Sequence, residues 1–254
     1  MGESSKKLEG EVAIITGGAS GIGEATTRHF INQAARAVVI ADVQDEKGQE
    51  LAKSISLDRY LYIHCDVSDE DHIKTVVETI VKTYGQLDVM FCNAGIINNA
   101  EQTILVLDLT QYEKLFYVYV LGTTASVKHA ARAMVEGKVK GSIICTASMG
   151  SLQYTDYTMS KHAVVGLMRS ASKQLGGYGI RINSMSPGAV VTPLICGKIG
   201  MEAEKVERTF ESSSYLNGVL KAKHVAEAVV FLVSDESEFI TGHNLAVDGG
   251  YKQS

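Results

Sequence analysis

The stretch Thr16-Gly17-Gly18-Ala19-Ser20-Gly21-Ile22-Gly23 limits what this chain can fold into more than any other. It follows the continuous apolar run Val12-Ala13-Ile14-Ile15 and precedes a helix predicted over residues 24–32, with Ala25, Phe30 and Ile31 as apolar positions. A strand that enters a glycine loop and leaves it as a helix is the context in which such a pattern marks a phosphate site. The helix N-terminus offers free N–H groups and a partial positive charge to a pyrophosphate. Glycines let the backbone approach it closely.

The next apolar run, Val38-Val39-Ile40-Ala41, ends in Asp42, nineteen positions after Gly23. A separation of about twenty is expected for the acid that binds the ribose hydroxyls of a dinucleotide. A carboxylate there repels a 2′-phosphate. No Lys or Arg lies in the glycine loop, and none follows Asp42 until Lys47. The pattern therefore predicts NAD rather than NADP; the alternative for Asp42 is a cap on the following helix.

Further strand-like runs are Leu61-Tyr62-Ile63-His64-Cys65, Leu87-Asp88-Val89-Met90-Phe91, Ser142-Ile143-Ile144-Cys145-Thr146, Ile180-Arg181-Ile182-Asn183 and Leu245-Ala246-Val247. Ser68-Asp69-Glu70-Asp71 reads as a capping box, with Val77, Ile80, Val81 and Tyr84 at helical spacing behind it. Seven strands alternating with helical stretches predict an α/β protein, a seven-stranded parallel sheet covered by helices on both faces. No internal repeat, low-complexity segment or linker divides the 254 residues, so a single domain over residues 1–254 is expected.

Composition narrows the function. With 45 % hydrophobic residues the chain can bury a large core. A net charge of −5 and a pI near 5.8 argue against a nucleic-acid partner. Cys65, Cys92, Cys145 and Cys196 are far apart, without a Cys-x-x-Cys pair, and read as reduced thiols. No metal site is expected. The polar stretch over residues 1–10 is unlike a signal peptide, Lys6 breaks a myristoylation pattern, and no apolar run reaches membrane-span length. These features predict a cytoplasmic protein with no membrane partner.

The second chemical motif is Tyr157-Thr158-Met159-Ser160-Lys161. A free phenol ionises near pH 10, too high for a base at neutral pH. Lys161 stands one helical turn after Tyr157, so both project from one face, and its ammonium favours the phenolate. Tyr157 could then take a proton from a substrate hydroxyl, or return it to a forming alkoxide.

Taken together, Thr16-Gly17-x-x-x-Gly21-x-Gly23, Asp66, Asn93-Ala94-Gly95, Ser148, Tyr157-x-x-x-Lys161 and Pro187-Gly188 with Thr192 resemble the short-chain dehydrogenase/reductase family over essentially the whole chain. Gly18-Ala19-Ser20, Ile40-Ala41-Asp42, Lys128-His129-Ala130-Ala131-Arg132 and Gly242-His243-Asn244-Leu245-Ala246-Val247-Asp248-Gly249-Gly250 resemble its plant branch of secoisolariciresinol, xanthoxin, isopiperitenol and borneol dehydrogenases and nepetalactol-related enzymes. The resemblance implies a Rossmann fold and a commonly homotetrameric assembly. It implies an NAD-dependent dehydrogenase that interconverts an apolar monoterpenoid or iridoid alcohol, or a lactol, with its carbonyl.

By the same resemblance the catalytic residues are Ser148, Tyr157 and Lys161. The cofactor residues are Gly17, Ser20, Gly21, Ile22 and Gly23 of the loop, then Asp42 and Val43. Asp66 and Val67 would meet the adenine, and Asn93, Ala94 and Gly95 would line the adenosine side. Pro187, Val190 and Thr192 would hold the nicotinamide carboxamide, and Tyr157 and Lys161 the reactive end. A substrate lid is expected at about residues 190–220. Leu194, Ile195, Ile199, Met201, Phe210 and Tyr215 would form an apolar pocket with Met149, Leu152 and Tyr154, in a region sparse in Lys and Arg.

Two features depart from the family. Tyr119 stands where an asparagine usually holds a water of a proton relay, and a phenol is expected neither to bend the helix nor to hold that water. Ser148 precedes Tyr157 by only nine positions, fewer than is usual in the family, so either the loop over residues 149–156 is truncated or loop residues are missing from this sequence. Both weaken redox machinery more than cofactor binding, and so motivate an alternative: an NAD-binding, non-oxidative iridoid cyclase.

Overall fold

The apolar runs become strands because each is buried on both of its faces. In β1 (Val12–Thr16), Val12 and Ile14 enter one core while Ala13 and Ile15 enter the other. The same alternation holds in β4 (Val89–Cys92) and β5 (Ser142–Thr146). Side chains of period two explain why these strands read as unbroken apolar runs.

The computed structural model describes residues 6–55, 60–98, 100–149 and 154–252. With β2 (Ala37–Asp42), β3 (Tyr60–His64), β6 (Arg181–Pro187) and β7 (Asn244–Val247), the strands form one seven-stranded sheet of order β3-β2-β1-β4-β5-β6-β7. Every pairing is parallel. Helices α3 (Glu70–Tyr84), α5 (Thr123–Glu136) and α6 (Thr155–Leu175) cover one face through Ile73, Val77, Ala130, Met134, Val164 and Met168. Helices α1 (Gly21–Asn32) and α9 (Ala222–Val233) cover the other through Phe30, Val225 and Val229, beside α2 (Asp45–Ile55). This is a single-domain Rossmann-type fold.

Several boundaries differ from the sequence expectation for physical reasons. Helix α1 begins at Gly21, inside the glycine loop. Asp69 caps α3, its carboxylate accepting the Asp71 N–H at 2.9 Å, while the Ser68 hydroxyl turns to Asp66 Oδ1 at 2.7 Å. β4 starts at Val89, directly after Asp88, whose carboxylate accepts the Val12 N–H at 2.8 Å. β3 ends at His64, one residue early. β6 runs on to Pro187 although Asn183, Ser184 and Ser186 are polar and fully buried. Both serine hydroxyls donate to Asn244 Oδ1 at 2.9 Å, and the Asn183 amide donates to the Ile240 carbonyl at 2.8 Å. Buried polar groups with partners are tolerated in a strand.

Between α4 (Leu109–Phe116) and α5 the helix is wound as a π-helical turn over Tyr117–Gly122. After β6 come α7 (Pro193–Ile199) and α8 (Ala203–Phe210). Among the described residues no helix is long and apolar enough to cross a membrane.

Candidate active site

The glycine loop owes its shape to contacts that no side chain could share. Gly17 and Gly21 have φ of +64° and +56°, in the left-handed region that favours glycine. A Cβ on Gly23 would stand 1.9 Å from the Gly17 carbonyl oxygen, and one on Gly17 would stand 2.8 Å from Ala94 Cα. The loop is thus pressed against the helix it feeds and against the end of β4. Ser20 is the N-cap of α1, yet its hydroxyl caps no helix amide and accepts from Gln44 Nε2 at 3.3 Å. The first amides of α1 carry no side-chain cap, which suits an anionic ligand.

Asp42, at the end of β2, is buried and welds the loop to the sheet. Its Oδ2 accepts the Ala19 N–H at 2.9 Å, and its Oδ1 accepts the Gln44 N–H at 3.0 Å. Asn93, at the end of β4, ties three strands together. Its backbone N–H donates to Thr16 Oγ1 at 3.0 Å, its amide donates to the Thr16 carbonyl at 3.2 Å, and its Oδ1 accepts from Thr146 Oγ1 at 3.4 Å. Burial works against the Asp66 carboxylate, but hydrogen bonds from Ser68 outweigh it and hold the group below the usual carboxylate range.

Along the C-terminal ends of the strands lies a cavity of about 1300 Å³. It sits where β1 meets β4 and the strand order reverses, the usual ligand crevice of such sheets. Gly17, Ser20, Gly21, Ile22, Asp42, Val43, Asp66, Val67, Asn93, Ala94 and Gly95 line it on one side. Ser148, Tyr157, Lys161, Pro187, Val190 and Thr192 line it on the other. Of the residues singled out for chemistry or cofactor, Gly23 alone is not on the wall; it lies behind the loop, against Gly17. A cradle closed to side chains, a helix N-terminus and an acid at the second strand fit a dinucleotide.

Ser148 follows β5 and Tyr157 opens α6, and the Ser148 hydroxyl hydrogen-bonds the Tyr157 side chain. The nine-residue spacing therefore brings the two together. Of the intervening loop, Leu152 and the rest of residues 150–153 lie outside the described residues. Lys161, one turn further along α6, donates to the Thr146 carbonyl at 2.8 Å.

For the chain's own residues, burial rather than charge proximity sets the direction of the Tyr157 shift. Burial raises the Tyr157 phenol above its ordinary value, against the hydrogen bond from Ser148. Burial also pushes the Lys161 ammonium down to about 7. In each case loss of solvation of the charged form is the largest influence.

The expectation for Tyr119 also fails in one respect, since the helix does deform, through the π-helical turn that carries it. Its ring is buried, and its hydroxyl donates to the Ile96 carbonyl at 2.6 Å. The ring meets Tyr157 edge-on, with centroids 5.6 Å apart and planes at 84°. Lys161 Nζ stands 3.8 Å from the Tyr119 ring centroid. A Cβ on Gly95 would come within 2.7 Å of that phenol, so glycine at 95 leaves room for the ring.

The substrate side of the cavity is less uniformly apolar than the sequence implied. Leu194, Ile195 and Ile199 of α7, Phe210 of α8 and Tyr154 line it. Met149, Met201 and Tyr215 do not; Tyr215 is 77 % exposed. Lys114 and Lys198 stand on the wall, and the Lys198 ammonium donates to the Asn98 carbonyl. Asp156 is buried there, its Oδ1 accepting the Tyr157 N–H at 2.7 Å and its Oδ2 accepting from Asn98 Nδ2 at 2.6 Å. Gln102 is also buried on the wall, and its side-chain amide has no hydrogen-bond partner among the described residues. Asn98, Gln102, Asp156 and Lys198 come from three separate segments, and no local pattern singles them out.

With this geometry in place, the chain belongs to the short-chain dehydrogenase/reductase family. The sequence model of the family described as Enoyl-(Acyl carrier protein) reductase matches residues 17–252. A short-chain type dehydrogenase/reductase from Mycobacterium marinum superposes with a TM-score of 0.88 at 29 % identity, over 98 % of each chain. Among plant relatives, the (+)-cis,trans-nepetalactol synthase NEPS2 of Nepeta racemosa is 56 % identical over 97 % of this chain and 95 % of its own. The (−)-isopiperitenol/(−)-carveol dehydrogenase of Mentha piperita, named as mitochondrial, is 54 % identical over 97 % of this chain and 95 % of its own.

Proposed function

We propose that this protein is an NAD-dependent dehydrogenase of plant specialised metabolism that interconverts an apolar monoterpenoid or iridoid alcohol, or a lactol, with its carbonyl. The observation that carries this reading is the convergence of Ser148, Tyr157 and Lys161 on the cavity that Asp42 and the glycine loop close at the other end. Gly17, Ser20, Gly21 and Ile22 would hold the diphosphate, with Gly23 keeping the loop tight. Asp42 and Val43 would hold the adenosine ribose, Asp66 and Val67 the adenine, and Asn93, Ala94 and Gly95 the wall beside them. Pro187, Val190 and Thr192 would hold the carboxamide. NAD, when bound, supplies the hydride acceptor.

The chain's own residues manage the proton. Ser148 donates to the substrate oxygen and orients it, and Tyr157 Oη, kept protonated by burial, gives its proton to a forming alkoxide. In the other direction it would take the hydroxyl proton where Lys161 and the positive ring of a bound cofactor offset that burial. Lys161, when charged, stabilises the phenolate that results. The region at about 190–220 serves as the lid, with Leu194, Ile195 and Ile199 packing an apolar substrate. The reading includes a cytoplasmic homotetramer, as the family resemblance implies.

Purified protein with NAD and a panel of terpenoid alcohols and lactols should raise the NADH absorbance. Tyr157→Phe should abolish that rise while leaving NAD binding in place; an unchanged rate refutes the proton role.

A second reading is favoured by a specific observation. A Tyr157 phenol raised by burial, paired with the Ser148 hydroxyl, is a neutral donor pair suited to a carbonyl or enol oxygen without redox change. Together with the similarity to nepetalactol synthases, this supports non-oxidative cyclisation of a reactive iridoid with NAD bound. Product formed from the activated iridoid with constant NADH absorbance selects this reading; identical products with and without protein exclude it.

A further inference from the structure

We infer that Tyr119 is a positioning residue whose ring face seats the Lys161 ammonium and holds it beside Tyr157. Three independent features fix the ring for that task. The π-helical turn Tyr117–Gly122 carries it to the cavity wall, and its hydroxyl is anchored on the Ile96 carbonyl at 2.6 Å. Gly95 leaves open the space the ring occupies. Lys161 Nζ then lies 3.8 Å from the ring centroid, well inside the roughly 6 Å range in which an aromatic face attracts a cation. The attraction is strongest where water is excluded, and both side chains are buried.

The seat also accounts for the valence of the amine. One N–H goes to the Thr146 carbonyl at 2.8 Å, and the ring covers a second side of the nitrogen. What remains is the side of Tyr157, whose ring centroid lies 5.6 Å from Nζ. The titratable groups that face Lys161 are the phenols of Tyr119 and Tyr157 and the Cys145 thiol of β5. Neither phenol carries a formal negative charge at neutral pH, since burial raises both. Burial pushes the amine down, the Cys145 side chain works against it, and an aromatic face at 3.8 Å favours the charged form as well. Lys161 is thus a charge fixed by an aromatic surface rather than a donor free to swing toward water.

The link to catalysis rests on the function proposed above. The titration that tests the seat needs neither cofactor nor turnover, so failure of one is distinguishable from failure of the other. Protein labelled with carbon-13 at the lysine ε-carbons is titrated by NMR, with the Lys161 signal assigned through Lys161→Met. Tyr119→Phe keeps the ring face and should leave the Lys161 midpoint within a few tenths of a pH unit. Tyr119→Leu removes the face and should lower the midpoint by about one and a half pH units, in line with a desolvated cation–π contact. Should the leucine variant not fold, phenylalanines with one to several ring fluorines at position 119 keep the shape while draining the face of charge. The midpoint should then fall in order of fluorine number. A flat fluorine series, or a Phe variant that falls as far as Leu, overturns the seat.

Discussion

Replacing Lys161 by methionine should stabilise the protein at low pH and cease to do so at high pH. The amine is buried, and its ionisation falls from 10.5 to about 7 on folding. At about 1.4 kcal/mol per pH unit, keeping Lys161 charged in the folded state costs roughly 5 kcal/mol at pH 6. Methionine avoids that cost but forfeits the bond to the Thr146 carbonyl, about 1 kcal/mol, and the contact with the Tyr119 face, about 2 kcal/mol. A net gain of about 2 kcal/mol at pH 6 remains. A lysine depressed by folding is at its full disadvantage below its folded value. The disadvantage shrinks as pH rises from about 7 toward 10.5 and is gone above it. The gain from methionine should therefore decline above pH 7 and become a loss near pH 10. Urea unfolding at fixed protein concentration, run at pH 6, 8 and 10, measures it. A methionine variant less stable than the parent at pH 6, or equally favoured at all three, refutes the buried-charge reasoning.

Two further outcomes follow from contacts described above. Gly95→Ala puts a methyl group 2.7 Å from the Tyr119 phenol and should cost about 1–3 kcal/mol by overpacking. Thermal unfolding should show part of that loss recovered in the double variant with Tyr119→Leu, because the two positions are coupled. On the proposed NAD reading, Asp42→Asn keeps the size of the side chain but removes the charge that would repel a 2′-phosphate. The preference for NAD over NADP, read as the ratio of dissociation constants from cofactor titration, should fall by roughly tenfold, the effect of one charge at close range. An unchanged ratio removes Asp42 from cofactor discrimination.

How far each feature could be read from sequence follows from how local its physics is. β1 and β5 are plain because both of their faces are apolar, whereas β6 hides behind Asn183, Ser184 and Ser186. The partners that make those residues tolerable, Asn244 and the Ile240 carbonyl, lie about 60 positions away. The glycine loop and the Tyr157–Lys161 pair are legible because loop geometry and one helical turn fix them. The Lys161 amine beside Tyr157 could be foreseen; the burial that raises the phenol could not, since contacts such as the edge-on ring of Tyr119 come from another helix. Likewise Asp156, Asn98 and Lys198 meet only once α6, the segment after β4 and α7 are assembled.

The strand order has a consequence for a chain still emerging from the ribosome. β1 is made first but gains its second neighbour only when β4 appears, so the four strands from residue 12 to residue 92 settle as one block. From there each strand docks beside the one synthesised just before it, and the nascent sheet grows in one direction with a bare parallel edge at its front. Such an edge is a template for unwanted pairing until it is covered. The final cover is β7, and it also brings Asn244 to the two serine hydroxyls of β6. Until residue 244 has been delivered, β6 has nowhere to place those hydroxyls, and the leading edge stays wet and exposed.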